Sequence, residues 1–199
     1  MKNHEQKTLF SLFLIFFLLF SCGVTEENKP ITNDELINGN FEQELDTGWQ
    51  AATQDYAGMN NIKRVKVDKN HYAYLKKIWC GYAQLFQTIK LEDLDQNFSV
   101  RARLSARSNR EDYSATAAII LSYLDGEDKE LAETRIAYST AEMSDTPTLH
   151  IYQAKPSEWQ TYSFNLKEEL TSHLSKIDTE EIKKLKIALY AFGNQTSGC

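Results

Sequence analysis

Apolar and polar residues alternate with a period of two along much of this chain. Phe98, Val100, Ala102, Leu104 and Ala106 interleave with Ser99, Arg101, Arg103, Ser105 and Arg107. Successive side chains of a strand point to opposite faces, so the pattern predicts a half-buried strand over 98–106. Val65 and Val67 alternate with Arg64 and Lys66 in the same way. The stretch 115–124 (ATAAIILSYL) is instead continuously apolar. It predicts a strand covered on both faces, and Asp125-Gly126 then supplies a turn. Further short strands are expected at 134–139, 148–152, 160–166 and 185–192. The run 167–176 (KEELTSHLSK) lacks Gly and Pro and predicts one short helix, with a helical turn near 178–179. About eight or nine short strands separated by turns make an all-β sandwich or barrel.

A different pattern opens the chain. Met1–Lys7 is polar and weakly basic, and Leu9–Phe20 is an apolar run of 12 residues. A membrane-spanning helix needs about 20, so the run reads as the apolar core of an export signal. It ends in Leu19-Phe20-Ser21-Cys22-Gly23, which resembles a bacterial lipoprotein box. The resemblance implies cleavage after residue 21 and acylation (palmitate-type) of Cys22. The protein would then be lipid-anchored in the cell envelope, at the outer membrane or cell surface, with the membrane as a partner through its anchor. Residues 22–35 are polar, acidic and contain Pro30, so they read as a flexible tether. Residues 36–199 are then one domain, without a repeat or a second domain.

Composition narrows the function classes. There are 28 Asp+Glu against 22 Lys+Arg, a formal charge of −6, and no basic block. Nucleic-acid binding needs a basic footprint, so it is excluded. Three Cys in 199 residues are too few for a disulfide scaffold or a zinc site. The chain carries no GxSxG, HExxH, P-loop or GxGxxG, and His71, His150 and His173 sit in no recognisable catalytic motif. A non-catalytic role is therefore expected, with a hydrolase as the weakest alternative.

Three stretches carry a family resemblance. They are Leu36-Ile37-Asn38-Gly39-Asn40-Phe41-Glu42 followed by Gly48-Trp49, then Ser157-Glu158-Trp159-Gln160-Thr161-Tyr162-Ser163-Phe164, then Leu185-Lys186-Ile187-Ala188-Leu189-Tyr190-Ala191-Phe192-Gly193. In this order they resemble carbohydrate-binding modules of the CenC type (families 4, 9, 16 and 22), and 71–75 and 83–90 resemble that family's second and third strands. The resemblance spans roughly residues 36–193. It implies a two-sheet, galactose-binding-like β jelly roll that holds a poly- or oligosaccharide. It also implies a structural Ca²⁺ held by the Asn40 carbonyl, the Glu42 carboxylate, Asp68 and the His71 carbonyl, since a hard cation takes six to eight oxygens. The family's usual final strand, which bears an Asp, has no counterpart before Cys199. The resemblance therefore leaves two alternatives, a truncated chain or an exposed sheet edge.

Sugar rings stack their C–H faces on aromatic planes and need planar polar partners for their hydroxyls. The loop 76–82 offers Trp79 and Tyr82. Gln84, Gln87, Arg101 and Arg103 are the expected donors, and Tyr113 and Tyr123 the expected cleft walls. Trp49 and Trp159 are expected in the core. In an oxidising compartment Cys80 and Cys199 are the candidates to form a disulfide. The expected function is a lipid-anchored carbohydrate-binding protein. The alternative is an envelope protein whose jelly roll binds another envelope protein.

Overall fold

The computed structural model describes residues 14–17, 35–55, 58–108 and 110–195. Cys22, the tether through Asp34 and Cys199 lie outside the described residues, so the expected lipidation and the Cys80–Cys199 pairing do too. The chain forms a two-sheet β-sandwich with one short helix. Its strands are β1 (Leu14–Phe17), β2 (Gln50–Asp55), β3 (Met59–Val67), β4 (Asn70–Ile78), β5 (Gly81–Lys90) and β6 (Asn97–Arg103). They continue with β7 (Tyr113–Leu124), β8 (Glu130–Ser139), β9 (Leu149–Gln153), β10 (Trp159–Asn165) and β11 (Lys184–Gln195), and the helix α1 spans Leu166–His173. One sheet has the order β10-β6-β1-β4-β3 and the other β2-β5-β11-β7-β8-β9. Pairing is antiparallel throughout, except that β9 joins β8 in parallel.

Alternation decides what each strand buries. In β6, Phe98, Val100 and Ala102 are buried and Arg101 is exposed. In β7 every residue from Ala117 to Leu124 is buried. Ala117, Ile119, Leu121 and Tyr123 face the main core, where they join Leu85, Val100, Ile136, Ile187 and Leu189. Ala118 and Ile120 face the other way, under Phe86, Met143, Ile151 and Tyr190. Trp49 belongs to the core, where its ring lies 5.3 Å from Phe41. Trp159 is only half-buried, on the outer side of the smaller sheet, because β10 places it opposite Arg103.

Two strands differ from the sequence reading. The segment QAATQD has no apolar alternation, yet it forms β2 by adding to the edge of β5. Leu14–Phe17, four residues of the apolar run read as an export signal, pair with β4 on one side and β6 on the other. A chain cut before Cys22 lacks this strand. The helix starts at Leu166, one residue before the expected start, where Asn165 caps it by accepting from the amides of Lys167 (3.0 Å) and Glu168 (3.2 Å). It ends earlier than expected, because Leu174 leaves helical geometry and buries its side chain. Among the described residues no helix is long and apolar enough to cross a membrane.

Candidate functional site

The outer face of the six-stranded sheet carries the most distinctive surface. Its rows follow from register. Gln54, Tyr82, Phe192, Thr116 and Ser139 lie side by side across β2, β5, β11, β7 and β8. The next row is Ala52, Gln84, Tyr190, Ala118 and Ala137, and the third is Gln50, Phe86, Ala188, Ile120 and Arg135. The small side chains Ala118, Ala137 and Ala188 are buried beneath Phe86 and Tyr190, two of the four half-buried aromatics of this face. The Tyr82 and Tyr190 rings are stacked with centroids 5.8 Å apart, and Tyr190 and Phe192 are stacked at 6.0 Å. Polar groups border the rings. The Lys186 ammonium lies 4.6 Å from the Phe86 ring centre, and Arg135 donates from Nε to Glu133 at 2.7 Å. Burial raises the Tyr190 hydroxyl above its ordinary range, so it stays a neutral donor at physiological pH.

Trp79 stands at one end of this face. It forms the two-residue link between β4 and β5 with Cys80, has φ 66°, and is 56% exposed. Its carbonyl oxygen crowds Gly193 of β11, where an added Cβ would lie 1.9 Å from it. Cys80 is buried and disulfide-bonded. Register sets Gly81, its neighbour, opposite Gly193 near the end of β11.

The fold separates the residues chosen from sequence. Tyr82 and Gln84 share the outer face, with Trp79 at its edge. Gln87 does not join them, because odd positions of β5 point inward. It is buried, and both ends of its amide hold the Ile37 backbone, accepting at 2.7 Å and donating at 3.0 Å. Tyr123 also departs from expectation. It is 0% exposed, with its hydroxyl 3.3 Å from Thr134 Oγ1. Tyr113 shares the inward parity of Ala117 and Ile119, and its ring lies 4.9 Å from the Arg110 guanidinium. Arg101 and Arg103 belong to the other sheet, where Arg101 lies 5.6 Å from the Trp159 ring. Tyr190, Phe192 and Phe86 were missed, although alternation within β5 and β11 places them beside Tyr82 and Gln84.

Of the residues expected to hold calcium, Glu42 lies against His71 and beside Asn40. Both Glu42 carboxylate oxygens are engaged by His71, one by its backbone amide (3.3 Å) and one by ring Nδ1 (2.7 Å). The Asn40 side chain accepts from the Glu42 amide at 3.2 Å. Arg64 donates to the carbonyls of Phe41 (2.7 Å) and Glu42 (2.6 Å). Asp68 sits in the adjacent β3–β4 turn with φ 57°. The hydrogen bond from the His71 side chain, above all, holds the Glu42 carboxyl below its ordinary value.

A second polar constellation lies where α1 closes one end of the sandwich. Glu169 is 2% exposed. Its Oε1 accepts from Thr134 Oγ1 (2.9 Å) and lies 2.6 Å from His150 Nδ1, and its Oε2 accepts from the Tyr152 hydroxyl (2.7 Å). Burial, then the hydrogen bond to Glu169, raises the Tyr152 hydroxyl strongly, which keeps it a donor. His173, one helical turn beyond Glu169, lies flat on the His150 ring with centroids 3.7 Å apart and planes 6° apart. Sequence spacing shows that Glu169 and His173 share a helix face. It does not show His150 against them.

No protein-family model matches the chain, and no curated protein matches it. Among solved structures, it is similar to the enzymatically active domain of bacteriophage CBA120 tailspike protein 4, at 13% sequence identity and a TM-score of 0.42. The match covers 82% of this chain and 20% of that one, so the chain spans about a fifth of its length.

Proposed function

We propose that this protein is a non-catalytic carbohydrate-binding lipoprotein, anchored through Cys22, that holds a poly- or oligosaccharide at the cell envelope. The observation that carries this reading is the outer face of the six-stranded sheet. There the stacked Tyr82, Tyr190 and Phe192 rings lie beside Gln54 and Gln84. A sugar's apolar face can lie against such rings while its hydroxyls reach the flanking amides. Tyr side chains provide that area with little rotamer entropy to lose.

Affinity electrophoresis through gels containing soluble polysaccharides tests the reading. Retention of the wild type on at least one glycan is expected. Tyr82→Ala and Gln84→Ala should reduce it, while Arg101→Ala on the opposite sheet should not. Lack of retention on every polysaccharide, or unchanged retention of both outer-face variants, overturns the reading.

A further inference from the structure

We propose that His150 and His173 bind a divalent cation of the zinc class, with Glu169 as the carboxylate that orients His150 from behind. The site is independent of the aromatic face and of the carbohydrate reading. The cysteine count argued against zinc, but the fold assembles nitrogen and carboxylate donors instead.

The geometry begins with His150. Its Nδ1 is committed to the buried Glu169 at 2.6 Å, so Nε2 is left as the ligand atom. Metal-bound imidazoles almost always direct their other nitrogen to such a carboxylate or carbonyl, which sets the tautomer and raises the basicity of the ligand. Thr134 and Tyr152 fix Glu169 in turn. Asp145 Oδ2 lies 4.0 Å from His150 Nε2, while its Oδ1 accepts from the Ile151 amide at 2.9 Å. It is the carboxylate within reach of Nε2 that offers a third ligand.

His173 supplies the second nitrogen. One ligand atom from each of His150, Glu169 and His173 lies within 4.8 Å of the other two, and the 3.7 Å ring stacking sets the His173 nitrogens alongside those of His150. Two ligands of one Zn²⁺, each about 2.0–2.1 Å from it, stand at most about 4.2 Å apart. Stacked rings aim their lone pairs side by side, so His173 must turn about its side-chain torsions to converge with His150. Its exposed position on α1 leaves room for that turn. Satisfying a buried carboxylate accounts for Thr134, His150 and Tyr152, but not for a second imidazole lying on the first. Two imidazoles with carboxylate support favour Zn²⁺, Cu²⁺ or Ni²⁺ over Ca²⁺ or Mg²⁺.

The test uses the purified protein, freed of any affinity tag and treated with chelator. It is titrated with Zn²⁺ by calorimetry and with Co²⁺ by visible absorption. Binding of about one equivalent, with d–d bands for Co²⁺, is expected. His173→Ala should weaken Zn²⁺ binding by about tenfold or more. Its metal-free melting temperature should match the wild type, since the side chain is exposed. Glu169→Gln should weaken binding by about 10–100-fold, and His71→Ala should leave it unchanged. The proposal is overturned if the wild type binds no Zn²⁺, if His173→Ala binds as tightly as the wild type, or if Ca²⁺ binds as tightly as Zn²⁺.

Discussion

Replacing Glu169 with Ala removes the acceptor of three side chains at once. Thr134 is 0% exposed and His150 is 8% exposed, so solvent cannot take over the lost bonds without opening the end of the sandwich. Each hydrogen bond to a charged acceptor contributes about 1.5–3 kcal/mol. The three do not add in full, because Thr134 Oγ1 retains the Tyr123 hydroxyl at 3.3 Å. Breaking a buried charged network by removing one member costs about 3–5 kcal/mol. In a domain of this size 1 kcal/mol shifts the melting temperature by about 2–4 °C, so Glu169→Ala should lower it by roughly 6–20 °C. Glu169→Gln keeps the shape but points an amide N–H₂ at a donor. It should lose about 1.5–3 kcal/mol and roughly 3–12 °C. Thermal melts followed by near-ultraviolet circular dichroism, with chelator present throughout, measure both variants. An Ala variant melting within about 2 °C of the wild type would refute the network's structural role. A Gln variant less stable than the Ala variant would refute the donor count.

Two further outcomes are expected. Gly193→Ala drives a methyl group into the Trp79 carbonyl oxygen, a backbone atom, at 1.9 Å before relaxation. It should cost about 1–3 kcal/mol and change Trp fluorescence, and a melt and spectrum indistinguishable from the wild type would contradict it. Glu42 has a depressed carboxyl, caused first by the His71 side-chain hydrogen bond. A depressed folded-state value means stability that is present above the unfolded value of 4.5 and lost as pH falls through the lower folded value. Melting temperatures recorded downward from about pH 5 should therefore fall less steeply in Glu42→Gln than in the wild type.

Much of the fold was legible because strand patterning is local. The alternation of Phe98, Val100 and Ala102 with Ser99 and Arg101 marks β6 and its inner face. The unbroken apolar run marks β7 as covered on both sides, as Ala118 and Ile120 under Met143 and Tyr190 confirm. The aromatic outer face was only partly legible. Tyr82 and Gln84 were chosen for their chemistry, and so was Gln87, although an odd offset sends it to the opposite side of the same strand. Tyr123 is lost to the core for the same reason, while Tyr113, of the same parity, is half-buried against Arg110.

By itself the sequence determined the all-β class, the approximate positions of most strands and of the helix, and which residues of a strand share a face. Each of these follows from neighbours within a few positions, through side-chain alternation in the strands and a run without Gly or Pro in the helix. Tertiary structure alone decided which strands lie side by side. Register across β5, β11 and β7 gathered Tyr82, Tyr190 and Phe192 on one face, while sheet membership sent Arg101 and Arg103 to the far side. It turned QAATQD into β2 by adding it to a sheet edge, and it set Leu14–Phe17 between β4 and β6. It also brought His150 on β9 against Glu169 and His173 on α1. A buried carboxylate needs partners from every side, and only packing between distant segments can supply them.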